Sequence, residues 1–146
     1  MTKILANAGK DDVAVLAAEI QKKYSPVLIK GPGKTLAMIN MRDPVRESRF
    51  YLGEVIVCEA AVELDGVKGF SVAIGDDEEK TVSMAVIDAA INKGVFTRMD
   101  KLLTLEKEQN DIIMRENAMH LKTMVSFETM DQEAPGDVNA FKKTRF

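Results

Sequence analysis

With 146 residues, 46% hydrophobic and 29% charged, the chain has the size of one globular domain, able to bury about 68–70% of the surface its unfolded form exposes. A formal net charge of -3 excludes the basic field that holds proteins on nucleic acid or anionic membrane. The single cysteine, Cys58, can neither close an intramolecular disulfide nor nucleate a zinc or iron–sulfur site, so no metal and no cofactor are expected.

Near its start the chain has only a short apolar patch, Ile4 to Ala6, so no signal peptide is expected, and no later run is long enough to span a bilayer. A cytoplasmic location is the resulting expectation. From Asp11 to Tyr24, Val13, Leu16, Ala17, Ile20 and Tyr24 recur at helical spacing. Asp11 or Asp12 can cap this helix, and Pro26 stops it. A short strand, Val27 to Lys30, is expected to end in a rigid turn at Gly31-Pro32-Gly33. Thr35 to Met41 reads as a second strand, closed by Asp43-Pro44.

Phe50 to Leu64 alternates. Ile56, Cys58, Ala60, Val62 and Leu64 share one parity, while Glu59 and Glu63 take the other, as in a half-buried strand. Asp65-Gly66 supplies the two positive-φ positions of a type I′ hairpin turn. The return strand puts Phe70, Val72 and Ile74 on one face and stops at Gly75. Four extended segments therefore suggest an antiparallel meander.

Asp76 or Asp77 caps the next helix, and Asp76 with Glu79 resembles a capping box. Val82, Ala85, Val86 and Ala89 form its inward stripe, and Lys93-Gly94 ends it. Thr97 and Asp100 start a last helix running to about His120. Glu106, Gln109, Glu116 and His120 project into the sector of Met99, Leu102, Leu105, Ile112 and Ile113. A helix packed only on its own core would not interleave them so. Either it breaks near Asn110 or this face meets another subunit. Val125 to Met130 reads as extended. The fold class is thus α+β, an antiparallel β meander packed with N-terminal, middle and C-terminal helices. A single domain is expected over residues 1–133, with a flexible tail over 134–146.

Candidate chemistry is sparse. Gly31-Pro32-Gly33-Lys34-Thr35 resembles a phosphate loop, but the first glycine of that motif would fall at Leu28. Asp76 to Glu79 suits a helix start without any cation. Cys58 lies on the apolar side of its strand with no evident base. Glu116 and His120, four apart, share a helical face and are the weak catalytic candidates; an ordinary surface pair has the same spacing. Phe127 and Met130, apolar groups with little local core of their own, suit a partner interface.

In order and spacing, several segments together resemble the G subunit of the carbon–phosphorus lyase core complex, the PhnG family. Phe50-Tyr51-Leu52-Gly53-Glu54-Val55 is similar to its aromatic–Leu–Gly–Glu strand start, and Cys58-Glu59-Ala60 follows with cysteine where threonine is usual. Asp65-Gly66, Gly69-Phe70, Ile74-Gly75-Asp76 and Ala85-Val86-Ile87-Asp88-Ala89 continue the likeness. Val125-Ser126-Phe127-Glu128-Thr129-Met130 resembles the closing motif, although Met124 and Asp131-Gln132-Glu133 replace residues that are commonly basic. The likeness spans about Leu36 to Met130 and adds Thr129 and Glu54 to the partner-interface candidates.

The resemblance implies a non-catalytic or accessory subunit. With the H, I and L subunits it would form ribose 1-methylphosphonate 5-triphosphate from ATP and methylphosphonate, releasing adenine. The I subunit would hold the nucleosidase-like chemistry, and the J subunit would later cleave the carbon–phosphorus bond with a radical S-adenosylmethionine iron–sulfur centre. Implied partners are the I, H and J subunits with associated ATP-binding-cassette subunits, and a second copy of the chain. The isolated chain would be inactive. A different class of reading is a freestanding α+β binding protein that self-associates through its last helix. Another is a small acid–base enzyme centred on Glu116 and His120.

Overall fold

The structure is a computed structural model, and it describes residues 1–43 and 46–124. Elements follow in the order α1 (Thr2–Asn7), α2 (Lys10–Gln21), β1 (Val27–Arg42), β2 (Arg49–Leu64), β3 (Val67–Ile74), α3 (Glu78–Asn92) and α4 (Met99–Lys122). The strands form one antiparallel sheet in the order β1-β2-β3, an open meander with helices against it, so the fold is α+β. The chain divides into two units, Met1–Ile112 and Ile113–Phe146.

In the first unit, α3 lies on β2 and β3, and α2 packs on α3. Val62 and Leu64 of β2, Met84 and Ile87 of α3, Val13 and Leu16 of α2, Leu5 of α1 and Leu102 and Leu105 of α4 share one core. The hairpin turn is as expected: Asp65 and Gly66 have φ of 48° and 84°, and Leu64 pairs with Val67. Gly94 (φ 77°) ends α3, with Gly94 N–H donating to the Ile91 carbonyl and Val95 N–H to that of Ala90. This pair of bonds satisfies two carbonyls left over at the helix end.

Five features correct or sharpen the expectations. The Gly31-Pro32-Gly33 turn is absent, and β1 runs through it as one strand. Register slips between Leu28 and Lys30 and between Lys30 and Gly33 absorb the extra residues, and a proline fits such an irregularity because it needs no ladder donor there. The four extended segments are therefore three strands.

The second concerns β3, whose Phe70, Val72 and Ile74 share a face as expected, and that face is the outer one. Its inward residues are Gly69, Ser71 and Ala73, opposite Val62, Ala60 and Cys58, while Phe70 is 50% and Ile74 79% exposed. Small residues face inward because α3 lies almost in contact with the strand. A Cβ on Gly69 would fall 2.3 Å from the Ala85 carbonyl oxygen and the Ala89 nitrogen. Ser71 is buried but satisfied, its hydroxyl donating to the Thr81 carbonyl at 2.6 Å.

Third, of the two expected caps it is Asp77 that caps α3, accepting from Lys80 N–H at 3.0 Å, while Asp76 forms no capping box and pairs with Lys34 at 3.3 Å. Fourth, Met1 to Lys10 is helical in part, because α1 buries Leu5 and is fastened to α3. Lys80 Nζ donates to the Ala6 and Ala8 carbonyls at 2.6 and 2.8 Å, taking up acceptors at the end of α1. Fifth, α4 does not break near Asn110. One interleaved polar group has a local partner, since Gln109 Nε2 donates to the Ile4 carbonyl at 2.9 Å.

Candidate partner-binding ribbon

β3 covers only part of β2. The last paired residues are Ile74 and Val57, and Gly75 N–H makes one further bond to the Ile56 carbonyl at 3.0 Å. Beyond that point β1 and β2 continue alone as a two-stranded ribbon, residues 36–42 against 49–56. The ribbon's register pairs Leu36 with Ile56, Met38 with Glu54, Ile39 with Gly53 and Met41 with Phe50. A step of one residue on β1, Ile39 to Asn40, matches a step of two on β2, Gly53 to Tyr51, so Leu52 is the extra residue of a bulge.

Side chains on a strand alternate between faces, so a ribbon covered on one face should be apolar on that face only. This one is apolar on both. Leu36, Met38, Ile39, Met41, Phe50, Tyr51, Leu52 and Ile56 are all exposed. An isolated two-stranded hairpin is marginal in water, and a contiguous apolar surface of this kind marks an interaction site.

The free edges of the sheet are treated unequally. Asp88 on α3 accepts from Phe70 N–H at 3.0 Å, and Asn92 Nδ2 donates to the Lys68 carbonyl at 3.1 Å. Two side chains thus take up two outward backbone groups of β3, Phe70 N–H and the Lys68 carbonyl, which obstructs strand addition there. Along residues 49–55 of β2, on the side β3 has left, no strand is present among the described residues.

Glu54 stands on the ribbon, exposed and opposite Met38. Glu116 and His120 stand on exposed turns in the second unit, with no hydrogen bond or ion pair between them among the described residues. His120 lines a shallow surface hollow with Asn117, Leu121 and Met124, which Glu116 does not line. Phe127, Thr129 and Met130 lie outside the described residues, as does the expected 134–146 tail. Cys58 is fully buried in its strand.

The carboxylates at the start of α3 are engaged by lysines. Lys10 Nζ reaches Glu79 at 2.7 Å and Asp77 at 3.3 Å. Hydrogen bonds to Glu79 and then Asp77 raise the Lys10 pKa above its ordinary value. The Lys80 N–H bond, and then Lys10, hold the Asp77 carboxyl below the usual range. Lys34, placed by the sequence in a possible phosphate loop, lies within strand β1 and pairs with Asp76.

Sequence reasoning missed the ribbon as a site, though its signal is visible: apolar residues of both parities fill 36–41 and 50–56, and Glu54 is the one charged residue within those segments. A comparison with models of known families matches residues 1–132 to one described as phosphonate metabolism protein PhnG. No curated protein matches the chain. No helix among the described residues is long and apolar enough to cross a membrane. A match over that much of the chain is decisive: the chain belongs to the phosphonate metabolism protein PhnG family.

Proposed function

We propose that the chain is an accessory, non-catalytic subunit of the carbon–phosphorus lyase complex, required with the H, I and L subunits to make ribose 1-methylphosphonate 5-triphosphate from ATP and methylphosphonate. The observation that carries this reading is the ribbon, whose two apolar faces have no cover within the described chain. Family membership supplies the metabolic setting. The ribbon, Glu54 included, is the docking element, and Phe127, Thr129 and Met130 are further interface candidates. The exposed helical residues 113–122 are a second docking element, since Ile113, Met114, Met119 and Leu121 there are apolar and exposed. The I, H and J subunits are the partners this reading names.

The test is reconstitution. The purified chain alone should release no adenine from ATP with methylphosphonate, while the H, I and L subunits should need it for turnover. Adenine release by the single chain, or full turnover without it, would refute the reading. Replacing Leu36 and Met38 with serine should leave the fold intact and reduce recovery of the I subunit at least about tenfold, as loss of interface anchors does.

A further inference from the structure

The open edge of β2 carries a charge pattern that matches itself. Backbone groups of a strand point alternately to either side, and the Ile56 carbonyl points to the β3 side, where it accepts from Gly75. Glu54, two residues back, shares that direction. The bulge at Leu52 then shifts the phase by one, so Tyr51 and Arg49 also direct their N–H and C=O to the open edge. With the bulge residue left out of the count, Arg49 and Glu54 each lie two steps from Tyr51, on opposite sides. Both are exposed, and neither makes an ion pair among the described residues. Tyr51 between them is 63% exposed.

We propose that this edge pairs antiparallel with the same edge of a second copy, about a two-fold axis at Tyr51. That axis sets Tyr51 against its own copy and Arg49 opposite the second copy's Glu54, with the reciprocal pair on the other side. A self-complementary patch is what a two-fold interface requires, and opposite charges directly across strands favour the pairing. The length fits as well. β2 begins at Arg49, so the incoming strand turns away opposite Glu54, before it reaches Val57, where β3 occupies the edge. The product is a four-stranded sheet in the order β1-β2-β2-β1, with main-chain bonds along an edge that carries no side-chain cover of the kind Asp88 and Asn92 give β3. This rests on the ribbon being a docking element, as proposed above, and names one occupant of its β2 edge; the ribbon's faces stay free for other subunits.

Charge reversal tests it on the full chain, by sedimentation and light scattering at low salt. The wild type should dimerise. Arg49→Glu and Glu54→Arg should each set like charges across the axis twice and raise the dimer Kd by on the order of tenfold or more. The double variant R49E/E54R should dimerise again, and so should an equimolar mixture of the two single variants, whose charges match across the axis. Circular dichroism and thermal melting verify that each variant is folded. A monomeric wild type, or a dimer indifferent to the single reversals, overturns the self-pairing. So does a double variant that is folded yet monomeric. Recovery of the I subunit separates the two proposals: normal recovery with no charge-dependent dimer sinks only the self-pairing, whereas no recovery by the wild type sinks the complex reading.

Discussion

Gly69 shows how tightly one residue can set a layer spacing. Because a Cβ there would overlap the backbone of α3, Gly69→Ala must push the helix off the sheet. Overpacking of this kind costs about 1–3 kcal/mol or more, so the variant should unfold at a lower denaturant midpoint. Gly53, with open space where its Cβ would go, is the control, and Gly53→Ala should leave the midpoint nearly unchanged. Asp77 acts through charge and a cap. Asp77→Ala should cost about 1 kcal/mol, the usual loss for an N-cap. Its folded-state pKa is depressed, so its ionic contribution is present above the unfolded value and lost as pH falls through the folded one. Asp77→Asn keeps a capping oxygen but cannot ionise. The stability gap between wild type and Asp77→Asn should therefore close below about pH 4. A gap that persists in acid would show that the carboxylate's charge is not what matters. Lys10 has the opposite sign, its raised pKa contributing below the ordinary lysine value and losing that contribution only in strong alkali.

At the scale of elements, the parts readable in the sequence are those fixed by local chemistry. Asp65-Gly66 gives its turn because two consecutive positive φ values need such residues, and Lys93-Gly94 gives its helix end for the same reason. Helix α2 follows from its apolar spacing. What the alternation leaves open is burial decided by a neighbour. Phe70, Val72 and Ile74 share a face as expected, but which face is buried is set by α3, which approaches so closely that only Gly69, Ser71 and Ala73 fit beneath it. Gly31-Pro32-Gly33 looked like a turn because the sequence does not reveal that β2 is long enough to pair past it. The candidate site was half legible. Glu54 was singled out through the strand motif, but its unpaired surroundings depend on where β3 stops, which only the register shows.

Across the whole molecule, stability and interaction reside in different places. Side chains buried in the first unit come from every helix in it and from the part of the sheet beneath α3, while the ribbon contributes almost none. Substitutions on the ribbon should therefore leave the melting temperature within about 2 °C of wild type, the range typical of surface changes. They should act instead on assembly. A ribbon variant that both melts early and fails to assemble would show that the arm is part of the core.

The carboxylate of Asp88, held against the backbone of β3, has a consequence for amide exchange with solvent. A peptide N–H on an exposed strand edge normally trades its proton quickly, but the Phe70 amide is hydrogen-bonded and should trade slowly. The Tyr51 amide, on the edge that β3 leaves bare, should trade fast in dilute protein. Raising the concentration should slow Tyr51 as strands meet and leave Phe70 unchanged, so two amides on one sheet would read sealing and assembly separately.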